Sequence, residues 1–188
     1  EYIPSNIFTI ADAKRGDIGN TSSQYAKAFF ETLDFDAITV APYMGEDSIR
    51  PFLEYKNKWT IVLGLTSNPG ANNFELQQTG TERLYEKVLR NVSGWGSPEN
   101  LMFVIGATQA DEFTNIRNIL PDHFLLVPGV GFQGGSLKDI SEKAMNKDCG
   151  ILINVSRAII FAGEKEDFTA EAKAIAAQYQ NEMSTYFK

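Results

Sequence analysis

Cysteine and histidine are almost missing from this sequence, which holds one of each, Cys149 and His123, in 188 residues. A lone cysteine can form no disulfide within the chain. Cys149 sits between a helical stretch and a strand-like run with no metal-ligand partner nearby, and it reads as a small buried residue of a reducing compartment. A cytoplasmic location is therefore expected, and the Asn-x-Ser matches at Asn20, Asn91 and Asn154 are expected to carry no glycan. His123 stands in "LPDHFLL", just before a strand-like run, so it is expected at the surface or at the start of a strand rather than in catalysis. Positive charge is also short: 17 Lys and Arg against 24 Asp and Glu give a net charge of −7. That balance excludes a broad basic footprint for nucleic acid, so any bound anion must be held by a local site. No apolar run approaches the length of a membrane span, and no membrane partner is expected.

Apolar residues are plentiful, at 43% of the chain with 12% aromatic, enough for one sizeable core. They fall in six short, nearly continuous runs: "IFTIAD" (7–12), "DAITVAP" (36–42), "TIVLGLT" (60–66), "LMFVIGA" (101–107), "FLLVPGV" (124–130) and "ILINVS" (151–156). Such runs suit parallel strands covered on both faces. Helical stretches follow at 22–33, 81–92, 136–147 and 169–187, with Ser22, Thr81, Ser136 and Thr169 as candidate caps. Segments 43–57 and 109–119 read as shorter helices. Strand-helix alternation without hairpin signals predicts an α/β fold with a parallel sheet.

Two architectures compete, an open doubly wound sheet and a closed (β/α)8 TIM barrel. Six units fit the open sheet by count, yet a barrel lacking its first two units also shows six. The polar residues decide, because they gather at the carboxyl end of every run: Asp12, Lys14 and Asp17, then Tyr43, Ser67, Thr108, a glycine loop and Arg157. A barrel collects all those ends around one pocket, whereas an open sheet uses only those near its switch point. The expectation is a single TIM-barrel domain over 1–188, supplying about six βα units. The chain opens on Glu1 rather than methionine and enters its first strand within a few residues. The domain is accordingly expected to be N-terminally incomplete, from a parent of about 250 residues or more.

"PGVGFQGG" (128–135) contains G-x-G-x-x-G at Gly129, Gly131 and Gly134, after a strand and before a helix. A dinucleotide fingerprint has that form, and Arg157 at the end of the next run suits a 2′-phosphate. The fingerprint belongs to the first unit of a nucleotide-binding fold, however, and only one further strand follows here. As the last two loops of a barrel, the glycines and Arg157 instead suit a phosphate site. A phosphorylated small molecule is the expected ligand.

In "FTIADAKRGDIGNTSSQYAKAFF" (8–30), Asp12, Lys14, Arg15 and Asp17 crowd into six positions. Period-two alternation would turn Asp12 and Lys14 to the same side. A carboxylate beside an ammonium stabilises both charges and holds the lysine in one place, where it can donate a proton or stabilise a carbanion. A second carboxylate could bind a metal, meet a substrate hydroxyl or cross a subunit boundary. Arg15 reads as solvated.

The segment "DAKRGDIGNT", D-x-K-x-x-D-I-x-x-T, resembles the signature of the orotidine 5′-phosphate decarboxylases. "APYMGEDS", "TSNPGA", "VIGAT", "PGVGFQGG" and "NVSRAII" resemble that family's later motifs in order, so the likeness spans essentially the whole chain. It implies decarboxylation of orotidine 5′-phosphate to UMP in pyrimidine biosynthesis. Asp12 would face the substrate carboxylate and orient Lys14, and Lys14 would stabilise and protonate the carbanion at C6. Asp17 and Thr21 would reach into the neighbouring subunit of a homodimer with shared active sites. Ser67 would bind the pyrimidine, Pro128 would pack near the ring, and Gln133 and Arg157 would grip the phosphate. No cofactor or metal is implied. The family also carries an Asp after its first strand and a Lys after its second; neither strand is present here, so this chain alone is expected to be inactive. The related keto-gulonate-phosphate decarboxylases share D-x-K-x-x-D and use Mg²⁺, but the Ser67 and Gln133 loops favour the orotidine enzyme. A non-catalytic nucleotide- or phosphate-binding fragment is the remaining alternative.

Three further readings complete the sequence. "ANNFELQQTG" (71–80) is a lid or simply a long connection. "GEKED" (163–167) reads as a solvated loop, and Trp59 and Trp95 read as packing residues.

Overall fold

A computed structural model describes residues 2–131, 134–163 and 166–187. Its first half runs β1 (Ile10–Arg15), α1 (Gly19–Lys27) continued by a π-helical turn (Ala28–Thr32), β2 (Ala37–Val40), α2 (Glu46–Leu53) and β3 (Trp59–Leu65). A 3-10 turn (Pro69–Asn73), a small antiparallel ribbon of β4 (Gln78–Thr79) and β5 (Glu82–Arg83), and α3 (Leu84–Ser93) follow. The second half runs β6 (Leu101–Ile105), a 3-10 turn (Ala107–Gln109), α4 (Phe113–Ile119), β7 (Leu125–Pro128), α5 (Leu137–Ala144), β8 (Ile151–Asn154), α6 (Arg157–Ile160) and α7 (Phe168–Ser184).

Six strands pair in parallel in the order β1-β2-β3-β6-β7-β8. Neighbours follow chain order and never reverse, so the sheet has no switch point. The doubly wound alternative is thereby excluded, and the winding is that of a TIM barrel. Among the described residues β1 and β8 each pair on one side only, which makes the sheet a half-barrel.

The two faces of the sheet explain why its strands read as continuous apolar runs. Val62, Phe103, Ile105, Leu125 and Val127 pack outward with helical residues such as Phe52, Leu89 and Ile116. Ala37, Ile61, Met102, Val104 and Leu126 form a second buried cluster on the inner face, without any helical residue. Trp59 packs against the inner cluster and Trp95 against the outer, as packing residues should.

Helix starts departed from expectation at three of four places. Ser22 lies inside α1, buried, donating from Oγ to the Ser48 carbonyl of α2 at 2.6 Å. Thr81 occupies the turn of the ribbon; α3 starts after Arg83, whose backbone N–H donates to the Glu86 carboxylate at 2.7 Å. Asp167 precedes α7, with Thr169 already inside it. Ser136 does cap α5, accepting the Asp139 N–H at 3.2 Å. In the missed cases, a side chain that could have bonded its own backbone is used elsewhere or lies off the boundary by two residues.

The amino ends of β7 and β8 are tied by a half-buried cation. The Arg117 guanidinium donates to the carbonyls of Leu120, His123, Ala144 and Gly150 at 2.9, 2.7, 2.5 and 2.7 Å. Loss of hydration lowers its pKa to about 10, which still leaves it charged at neutral pH. Next to it His123 lies at the start of a strand as expected, but it is buried rather than at the surface. Its ring stands edge-on to Phe103 at 5.5 Å, and neither ring nitrogen has a partner among the described residues.

Candidate active site

The strand β1 runs three residues beyond its expected end, because pairing resumes after an irregularity. Ala11 pairs with Ile38 and Arg15 with Val40, so residues 12–14 stand opposite Thr39 alone. Lys14 takes a left-handed conformation, φ +46°, within this bulge. Bulges re-aim side chains, and here Lys14 Nζ meets Asp12 Oδ1 at 2.5 Å. The two residues do come together, though through the bulge rather than through the regular alternation that the sequence suggested. Arg15, read as solvated, folds back with its guanidinium 5.4 Å from the Tyr25 ring centre and 5.9 Å from that of Phe29.

Asp17 follows the strand, with its carboxylate accepting the N–H of Ile18 at 2.8 Å just ahead of α1. Thr21 lies exposed in the first turns of α1. Among the described residues neither hydrogen-bonds the Asp12–Lys14 pair.

Ser67 lies after β3, in a segment held from three directions. Glu75 accepts the Thr66 N–H at 2.6 Å and lies 2.9 Å from the Thr66 hydroxyl. Across the next crossover, Thr108 Oγ1 donates to the Ser67 carbonyl and Gln109 Nε2 to that of Thr66, both at 3.1 Å. The stretch 71–80 is therefore tied back through Glu75 and the ribbon rather than standing free as a lid. Sequence reasoning missed Glu75; its one signal was an acid in an otherwise uncharged ten-residue connection.

Pro128, Gly129, Val130, Asn154, Ser156 and Arg157 are among the residues lining a cavity of about 120 Å³ between the carboxyl ends of β7 and β8. Gly131, φ +74°, takes a conformation in which an L side chain would be strained, and a Cβ there would also sit 2.5 Å from the Tyr179 hydroxyl of α7. The backbone N–H groups of Gly131, Gly134 and Gly135 donate to carbonyls within the loop, at 3.0, 2.8 and 3.2 Å. These three N–H groups are thus engaged within the loop itself. Gln133 lies outside the described residues. Thus Asp12 and Lys14 at one outer strand, Ser67 at the middle and the Pro128–Arg157 cavity at the other outer strand share one rim of the sheet.

This rim, on a half-barrel, is accompanied by likeness along the whole chain. The sequence model of the orotidine 5′-phosphate decarboxylase / HUMPS family matches residues 3–175. The chain belongs to that family. An orotidine 5′-phosphate decarboxylase of Bacteroides fragilis is 53% identical over 191 residues, an alignment that takes in all of this chain and 70% of the relative. Among solved structures, Leishmania donovani OMP decarboxylase superimposes with a TM-score of 0.83 at 36% identity, covering 96% of this chain and 70% of its own. Leishmania donovani UMP synthase gives a TM-score of 0.86 at 39% identity, with 96% of this chain but 40% of its own covered. The family is one of enzymes, and its orotidine 5′-phosphate decarboxylases belong to pyrimidine biosynthesis. Among the described residues no helix is long and apolar enough to cross a membrane.

Proposed function

We propose that this protein decarboxylates orotidine 5′-phosphate to UMP. The observation that carries the reading is the Asp12–Lys14 ion pair on the same rim as Ser67 and the Arg157 cavity. The Asp12 carboxylate faces the substrate carboxylate, and that repulsion is relieved as the C6–carboxylate bond breaks and carbon dioxide leaves. The bonding electron pair stays at C6, where the Lys14 ammonium stabilises it and then donates its proton; solvent reprotonates the lysine. Ser67 hydrogen-bonds the pyrimidine, Pro128 packs against the ring, and Gln133 and Arg157 hold the phosphate. Fixed charges aimed at a developing carbanion and phosphate contacts remote from it are the kind of device that lowers a barrier by up to about 20 kcal/mol.

A homodimer is the working unit in this proposal, with Asp17 and Thr21 completing the partner's site, in the cytoplasm. Among the described residues neither side chain hydrogen-bonds its own Asp12–Lys14 pair, and Thr21 is exposed, which supports that reading. In the same proposal, residues 1–188 belong to one TIM-barrel domain and do not turn over by themselves, because among the described residues β1 and β8 have no outer neighbour.

The test is orotidine 5′-phosphate turnover, followed by ultraviolet absorbance, with Lys14→Ala as control and an intact mass from the same tube. Turnover abolished by Lys14→Ala supports the reaction and the role of the lysine. Turnover at a mass near 20.9 kDa overturns the claim that the open half-barrel is inactive. UMP binding without turnover from the protein as its gene encodes it favours a non-catalytic binding role, and activity lost to a chelator favours the Mg²⁺-dependent sugar-phosphate chemistry.

A further inference from the structure

We infer that Thr39 is the positioning residue of the Asp12–Lys14 pair, an inference that rests on the catalytic reading of that pair. Thr39 is the one polar side chain in β2, fully buried between Ile38 and Val40, where an apolar strand would ordinarily carry a valine or isoleucine. It is also the single residue that stands opposite the three bulged positions of β1. Its hydroxyl accepts the backbone N–H of Lys14 at 2.9 Å and lies 3.0 Å from Asp12 Oδ1. The Ala11 carbonyl, its other acceptor in reach, is 3.5 Å away.

A hydroxyl has one proton to give, and the nearer, charged acceptor takes it. The result is a closed ring. The Lys14 N–H donates to Thr39 Oγ1, Thr39 donates to Asp12 Oδ1, and Lys14 Nζ donates to that same oxygen. Lys14 is thus held at both its backbone and its ammonium. It needs holding, because a lysine at φ +46° lacks the short polar side chain by which Asn or Asp bonds its local backbone in the left-handed conformation. The ring also fixes the carboxylate. Oδ1 is engaged by Thr39 and Lys14, while Oδ2 takes no hydrogen bond among the described residues and is the oxygen presented to the substrate.

A valine at this position would have the same shape but would leave the Lys14 N–H without its acceptor and Asp12 without its orienting donor. The chemical groups that act would all remain, yet less well aimed. Misplacement of about 1 Å costs on the order of 100-fold in rate when alignment is the source of catalysis.

The experiment uses the protein as its gene encodes it, with Thr39→Val, Thr39→Ser and Lys14→Ala compared by decarboxylation kinetics. Thr39→Val is expected to lower kcat by roughly 100-fold with little change in KM, since the pyrimidine and phosphate contacts lie elsewhere. Thr39→Ser, which keeps the hydroxyl, is expected to restore most of the rate. A wild-type kcat in Thr39→Val overturns the inference, as does equal loss in the valine and serine variants, because the serine hydroxyl would then rescue nothing. Should Lys14→Ala keep full activity, the catalytic reading itself fails; should it lose activity while Thr39→Val does not, only the positioning role fails. Amide hydrogen exchange of the unsubstituted protein gives a check that depends on no variant folding. Strong protection of the Lys14 N–H is expected, and exchange as fast as that of an open loop would overturn the proposal.

Discussion

Gly106 lies against Ser67 so closely that a Cβ on the glycine would stand 2.5 Å from the Ser67 backbone nitrogen and 2.6 Å from its Cα. The glycine is not required by its own conformation, since its φ of −67° and ψ of 135° suit any residue. It is required by its neighbour, and the atoms in the way are backbone, which cannot rotate aside. Gly106→Ala should push the Ser67 segment off the rim at a cost of about 1–3 kcal/mol. Urea unfolding would measure that loss, and titration with UMP should show weakened binding. Unchanged affinity would mean that Ser67 does not meet the base.

The sheet and its winding were legible in the sequence because burial on both faces leaves a period and a length that survive without tertiary information. Six apolar runs became six strands, and the polar residues after them became one rim. The fine structure of the site was less legible for a physical reason. Asp12 and Lys14 meet through a bulge, and a bulge is decided by the partner strand, not by the residues within it. Thr39 gave a faint signal as a hydroxyl inside "AITV", yet β-branched threonine is common in strands for its shape alone. Ser22 and Thr81 misled because cap preference is local, whereas the buried bond from Ser22 to the Ser48 carbonyl joins two helices.

Arg117 offers a test of stability that leaves the rim alone. Its four carbonyl acceptors come from the segments that feed β7 and β8, at the end of the sheet opposite the candidate site. Arg117→Met keeps much of the aliphatic stem and leaves those four oxygens without the cation. A loss of about 3 kcal/mol is expected in urea unfolding, given the net worth of hydrogen bonds to a charged donor. Ligand affinity should not change in the folded variant. A loss below about 1 kcal/mol would mean that water replaces the guanidinium at little cost.

His123 should make stability depend on pH, and the direction follows from its surroundings. Burial lowers its pKa below 6.5; the Arg117 guanidinium lowers it further, and the Asp122 carboxylate opposes both. Above about pH 7.5 the ring is neutral in the folded and unfolded chains, and its contribution is constant. As pH falls through 6.5, the unfolded chain binds a proton that the folded chain resists binding. Stability then declines, by up to about 1.4 kcal/mol per pH unit, until the lower folded pKa is reached. Asp36, held low mainly by the Thr9 N–H, and Glu86, held low mainly by the Arg83 N–H, work at more acid pH. Their stabilisation is present above the usual carboxylate range and is lost as pH falls below about 4. The window from pH 7.5 to 5.5 therefore isolates the only histidine in the chain. His123→Phe retains an aromatic ring against Phe103 and removes the titrating group. The variant should lose less stability than the parent across that window, measured as urea midpoints at each pH. Parallel curves would mean that the imidazole protonates in place, with water reaching it beside Asp122.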